Sequence, residues 1–202
     1  RVRSGSRPDH PQPARCGGGF EAIVTPRRSP APRSRSGVDP GIHRVKPTGA
    51  RCRIPIACPW CAIGLASLEK ALDDVGSEVN VEVYFQPFEL NAHMPLGGQD
   101  VIEYLTEKYG STVSQVKANQ ENIRKRAAEM GFLFHPEGRK RVYNTFHAHR
   151  LMHWAQAEHG LDAQYKLKKE LFATYFTLAV SVDDPNNLLA AVERAGLPSE
   201  RA

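Results

Sequence analysis

Two cysteines separated by Pro and Trp, Cys58-Pro59-Trp60-Cys61, are the residues in this chain whose type and spacing most directly imply chemistry. A CxxC at the start of a helix places the first sulfur near unpaired backbone N–H groups and the positive end of the helix dipole, which favours thiolate over thiol. Pro59 suits the first helical turn, where its missing N–H costs nothing. One turn on, Cys61 is in reach of a mixed disulfide formed at Cys58. Position therefore assigns Cys58 as an exposed nucleophile and Cys61 as the resolving thiol, with Pro59 and Trp60 tuning the redox potential between them. No metal or other cofactor is required by this chemistry.

The competing reading of a CxxC is structural zinc, which typically needs four ligands. The other cysteines are Cys16 and Cys52, and no second CxxC exists. His149 and His153 stand four apart on one helix face, so a mixed Cys/His site has some candidates. In Asn144-Thr145-Phe146-His147-Ala148-His149-Arg150-Leu151-Met152-His153-Trp154, Arg150 stands where a metalloprotease helix needs Glu. We read Phe146, Leu151 and Trp154 as core, with the histidines flanking a groove or solvent.

The elements that position these residues follow from periodicity. Leu65, Leu68, Leu72 and Val75 recur at helical spacing after the CxxC, and Gly76 caps the helix. Val79, Val81, Val83 and Phe85 then alternate with polar residues as a strand that Pro87 ends. Beyond Gly97-Gly98 the pattern predicts helices over 100–109, 113–130, 143–159, 162–178 and 186–195, broken at Gly110, Gly131, Gly160 and Gly196.

The 202 residues carry a formal charge of +5. That charge is local: residues 1–50 hold nine Arg and one Lys against three acids, or +7, which leaves −2 for the rest. The same segment holds eight of the fifteen prolines and seven of the sixteen glycines, and is expected to be a disordered tail. A basic nucleic-acid arm is the functional alternative for it, but no nucleic-acid partner is expected for the body of the chain. No apolar run approaches the roughly 18 residues of a membrane span. Without a visible secretory signal, the expected location is cytoplasmic.

Four ordered segments carry a resemblance: Ile56-Ala57-Cys58-Pro59-Trp60-Cys61-Ala62-Ile63-Gly64, Pro87-Phe88-Glu89-Leu90-Asn91, Asn144 to Arg150, and Leu171-Phe172-Ala173-Thr174-Tyr175-Phe176. Together they resemble the FrnE-like branch of the DsbA family. The resemblance implies an α/β, thioredoxin-like core with an inserted all-helical domain, the core starting at 51–97, the insertion at 98–185 and the return to the core at 186–202. It implies disulfide oxidoreductase activity on protein or small-molecule thiols, with glutathione a candidate partner, and a substrate groove near Phe88, Asn144 and His149. Glutathione-dependent kappa-class transferases and hydroxychromene-carboxylate isomerases are similar too, but they generally carry serine in place of Cys58 and lack the second cysteine.

Two departures from the family pattern lead to further expectations. Pro55 is poorly placed for an inner strand, so residues 1–55 are expected not to be the native N-terminus. The family's cis-proline loop, later strands and closing helix have no counterpart, so the C-terminal part of the core is expected to be missing and the chain unstable or weakly active alone.

Overall fold

The computed structural model describes residues 48–202; residues 1–47, with Cys16 and nearly all of the basic segment, lie outside the described residues. Two parallel strands, β1 (Thr48–Cys52) and β2 (Val81–Phe85), flank helix α1 (Pro59–Val75) as one β-α-β unit. The register pairs Thr48 with Val81 and Cys52 with Phe85. A crossover helix is what parallel neighbours require. Gly76 closes α1 with a positive φ of 58°.

β1 corrects the expected start of the core. Its pairing begins at Thr48, and it ends at Cys52, three residues before Pro55. Pro55 therefore takes no donor from the ladder, and it lies buried in the turn that leads to Cys58.

The helical segment contains α2 (Val101–Tyr109), α3 (Val113–Glu129), α4 (Phe146–His159), α5 (Leu161–Phe172) and α6 (Pro185–Arg194). Local signals fix several starts. Asp100 accepts from the Ile102 and Glu103 N–H groups, and Thr112 and Gln115 form a reciprocal capping box. Three expectations need correction here. The segment is not all-helical, since β3 (Gln99–Asp100) pairs antiparallel with β4 (Arg141–Val142). Two-residue strands leave no periodicity to read. The helix expected over 162–178 gives way at Ala173 to a π-helical turn, Ala173–Thr177, closed by Leu178 N–H to Ala173 O at 2.8 Å. Helix α4 begins at Phe146 rather than 143, and its inner face is Ala148, His149, Met152 and Ala155. Phe146 itself is half exposed, because the first residue of the helix projects past the turn that packs.

One hydrophobic cluster runs across the β-α-β unit and the helices. It joins Ile54, Ile56, Val83 and Phe85 to Met152, Leu167, Leu171, Phe172, Tyr175 and Val192. A core shared this way makes the packing of the helices on β2 part of the stability of the redox loop. Among the described residues, no helix is long and apolar enough to cross a membrane.

Candidate active site

Cys58 is the N-cap of α1, with extended backbone angles, φ −98° and ψ 114°, and Pro59 follows at the first helical position. Cys61 N–H bonds back to Cys58 O at 3.1 Å, which closes the first turn and stacks the two side chains one turn apart. Both cysteines are thiols. Their exposure is the reverse of the expectation: Cys58 is buried at 7 % and Cys61 is only half-buried. Trp60 is the exposed member of the motif, at 47 %.

Burial alone would raise the Cys58 pKa, but several donors and a cation outweigh it. The Cys58 thiol is lowered to about 6, first by a hydrogen bond from the Cys61 side chain, then by the backbone N–H groups of Cys61 and Trp60, and then by the Arg139 cation. Cys52, which lacks such donors, is pushed up by burial.

Arg139 reaches this position from the helical segment. Its guanidinium donates to Ala57 O at 2.7 Å and to the Tyr175 hydroxyl at 3.0 Å, and it lies 5.2 Å from the Tyr175 ring centre. Tyr175 in turn donates to Arg141 O at 3.1 Å. The π-helical turn presents Tyr175 fully buried for this purpose, a local irregularity of the kind that often accompanies functional sites.

A second cation approaches the pair from α5. Lys168 is 1 % exposed, donates to Ile54 O at 2.5 Å, and stands 4.6 Å from the Phe172 ring centre. Burial lowers its pKa to about 7, against an opposing pull from Cys61 and Cys58. Charge from α5 thus acts on both sulfurs.

The expected groove residues separate. His149 is 6 % exposed and lines a cavity of about 230 Å³ with Lys168, Gln164 and Gln156. Phe88 is 44 % exposed, and its backbone hydrogen-bonds His149. Asn144 lies elsewhere: it donates to Met94 O at 2.8 Å and accepts from Phe146 N–H at 2.8 Å. Both ends of its amide are thus committed to backbone. Among the described residues, no three His, Cys, Asp or Glu side chains gather as a metal site.

Comparison with known proteins agrees with this geometry. A family model described as a DSBA-like thioredoxin domain matches residues 55–202. The chain belongs to this DsbA-like family. It is also similar to the crystal structure of a probable DsbA oxidoreductase from Streptomyces coelicolor, at 31 % identity and a TM-score of 0.67. The match covers 77 % of this chain and 64 % of that one, so the chain spans under two thirds of the length of this DsbA relative. Among proteins of curated function, none matches significantly.

Within this DsbA-like domain, Arg139 and Lys168 are the residues that sequence reasoning missed. Arg139 stands in the run Gly138-Arg139-Lys140-Arg141, which reads as solvated charge. Lys168 has a faint signal: Gln164, Lys168 and Phe172 repeat at four-residue intervals, on the face that also carries Leu167 and Leu171. A polar pair on that face points inward.

Proposed function

We propose that this DsbA-like chain is a thiol–disulfide oxidoreductase that works through Cys58 and Cys61, on the FrnE-like side of the family. The observation that carries the reading is the N-cap position of Cys58, where donors from Cys61 and Trp60 hold its thiol near pKa 6 one turn from Cys61.

In the oxidising direction the chain starts as a Cys58–Cys61 disulfide. A substrate thiolate attacks the Cys58 sulfur, the S–S bond breaks, and Cys61 leaves as a thiolate. A second substrate thiolate then attacks the substrate sulfur of the mixed disulfide and expels Cys58. Two electrons pass from substrate to chain. A sulfur with a low pKa is the better leaving group in that last step. Arg139 and Lys168 lower the cost of negative charge on the departing sulfurs. Run backwards, Cys58 attacks a substrate disulfide and Cys61 resolves it, with glutathione or a protein thiol as partner.

The test is turnover of insulin disulfides by dithiothreitol with the 202-residue chain, alongside Cys58→Ser and Cys61→Ser. We expect catalysis by the wild type and none by either variant. Cys61→Ser should also accumulate a mixed disulfide with glutathione at Cys58, visible by mass spectrometry. A wild-type rate equal to that of Cys58→Ser would sink the proposal. A glutathione-dependent isomerase would keep its activity in Cys61→Ser, which separates that chemistry from dithiol exchange.

A further inference from the structure

The cavity beside Lys168 has features that thiol exchange does not use. It lies at the C-terminal end of β2, against Phe85 and Pro87, with Gln156, Gln164, His149 and Lys168 on the α4 and α5 side. Pro87, His149 and His153 are shared with an outer groove of about 490 Å³, whose remaining wall is Glu89, Phe146, Arg150 and Trp154. The two spaces form one inlet, polar within and flanked by aromatic rings outside.

Its buried polar groups are short of partners. Lys168 is an ammonium with three donors, of which one reaches Ile54 O, and no carboxylate among the described residues pairs with it. With both sulfurs neutral or joined as a disulfide, the enclosed cation loses the opposing charge that Cys61 and Cys58 otherwise supply, which is costly. On the same wall, the buried His149 Nε2 has no hydrogen-bond partner, and the Trp154 indole N–H on the outer groove has none either. Buried polar atoms are rarely left so, and two on the residues that line these spaces, beside a lysine with donors to spare, point to a ligand that supplies what they lack. A cavity of about 230 Å³ accommodates a small polar head, and the outer groove accommodates an apolar body.

We propose that this inlet binds a small organic carboxylate, its anionic head facing Lys168 and its apolar body lying between Phe146 and Trp154. The head provides a counter-charge in the states where the sulfurs carry none, through a charge-assisted hydrogen bond. The inlet opens on the α4 face, so occupancy does not require either cysteine to react.

The experiment uses the full chain carrying Trp60→Phe, which leaves Trp154 as the sole tryptophan. Its fluorescence is titrated with 3-phenylpropionate, with the neutral 3-phenylpropan-1-ol, and with acetate. We expect saturable binding of phenylpropionate, at least about tenfold tighter than the alcohol, and weaker binding of acetate. Adding Lys168→Met should erase the preference for carboxylate over alcohol. Should that variant fail to melt cooperatively, Phe146→Ala, at a half-exposed position, should weaken phenylpropionate while sparing acetate. Absence of saturation, equal affinity for the alcohol, or a phenylpropionate affinity unchanged by Phe146→Ala would overturn the proposal.

Discussion

The side-chain amide of Gln164 takes both backbone groups of Phe85: the Phe85 N–H donates to Gln164 Oε1 at 3.1 Å, and Gln164 Nε2 donates to Phe85 O at 3.1 Å. On the other side of β2, Gln86 N–H bonds Cys52 O at 2.9 Å. Gln164 thus does for Phe85 what a third strand would do. Its Nε2 also donates to Met152 O and Gln156 Oε1, which ties the edge of β2 to α4.

Gln164→Leu should therefore destabilise the chain strongly. Two buried backbone groups lose their partners at about 1–3 kcal/mol each, so a loss of roughly 2–6 kcal/mol is expected in urea unfolding. A loss under about 1 kcal/mol would mean that water replaces the amide at this edge.

Cys58 should alkylate with a pH midpoint near 6, far below an ordinary thiol. Because the Cys61 side chain is the largest cause of the lowering and Arg139 the smallest, Cys61→Ala should raise the midpoint more than Arg139→Met. Iodoacetamide rates measured across pH 4–9 check both the value and the order.

The stability of the reduced chain should rise with pH. The thiolate of Cys58 is favoured in the folded state, so its contribution is complete above the unfolded thiol pKa and is lost as pH falls through about 6. Lys168 acts in the same sense for the opposite reason. Its ammonium is disfavoured when folded and its pKa falls to about 7, so the penalty is full below that value and shrinks as the pH rises from there toward the ordinary lysine value of 10.5. Denaturation midpoints at pH 6 and 9 should differ in the wild type, and by less in Cys58→Ser and in Lys168→Met.

Gly98 should tolerate no side chain. Its φ is +66°, and a Cβ there would stand 2.1 Å from Val142 O, inside the short β3–β4 pairing. Gly98→Ala should cost on the order of 1–3 kcal/mol and raise amide exchange at Gln99 to Val142 first, because the carbonyl that must move belongs to the ribbon. Wild-type exchange in the variant would contradict this.

What could be read in advance divides by how far a residue's partners lie along the chain. The N-cap role of Cys58, the end of α1 at Gly76 and the helix starts near Val101, Val113 and Pro185 rest on neighbours within four residues, and the sequence carries them. Arg139 meets Ala57 across 82 positions and Lys168 meets Ile54 across 114, and no periodic pattern encodes such pairs. Exposure failed for the same reason. Cys58 is buried beside Ala57, where Arg139 docks from 82 positions away, and Phe146 stays half exposed while Ala148, His149, Met152 and Ala155 take the packing positions on α4.

Arg139 and Lys168 both come from the segment that follows the β-α-β unit in the chain, yet both bear on the sulfurs at the head of α1. The CxxC is therefore an unfinished unit by itself. A graft that moved the loop and α1 into another thioredoxin-like frame would leave both cations behind, and the transplanted pair would titrate as a different acid. Conversely, exchanging the helical segment alone would retune the same four residues without altering one of them.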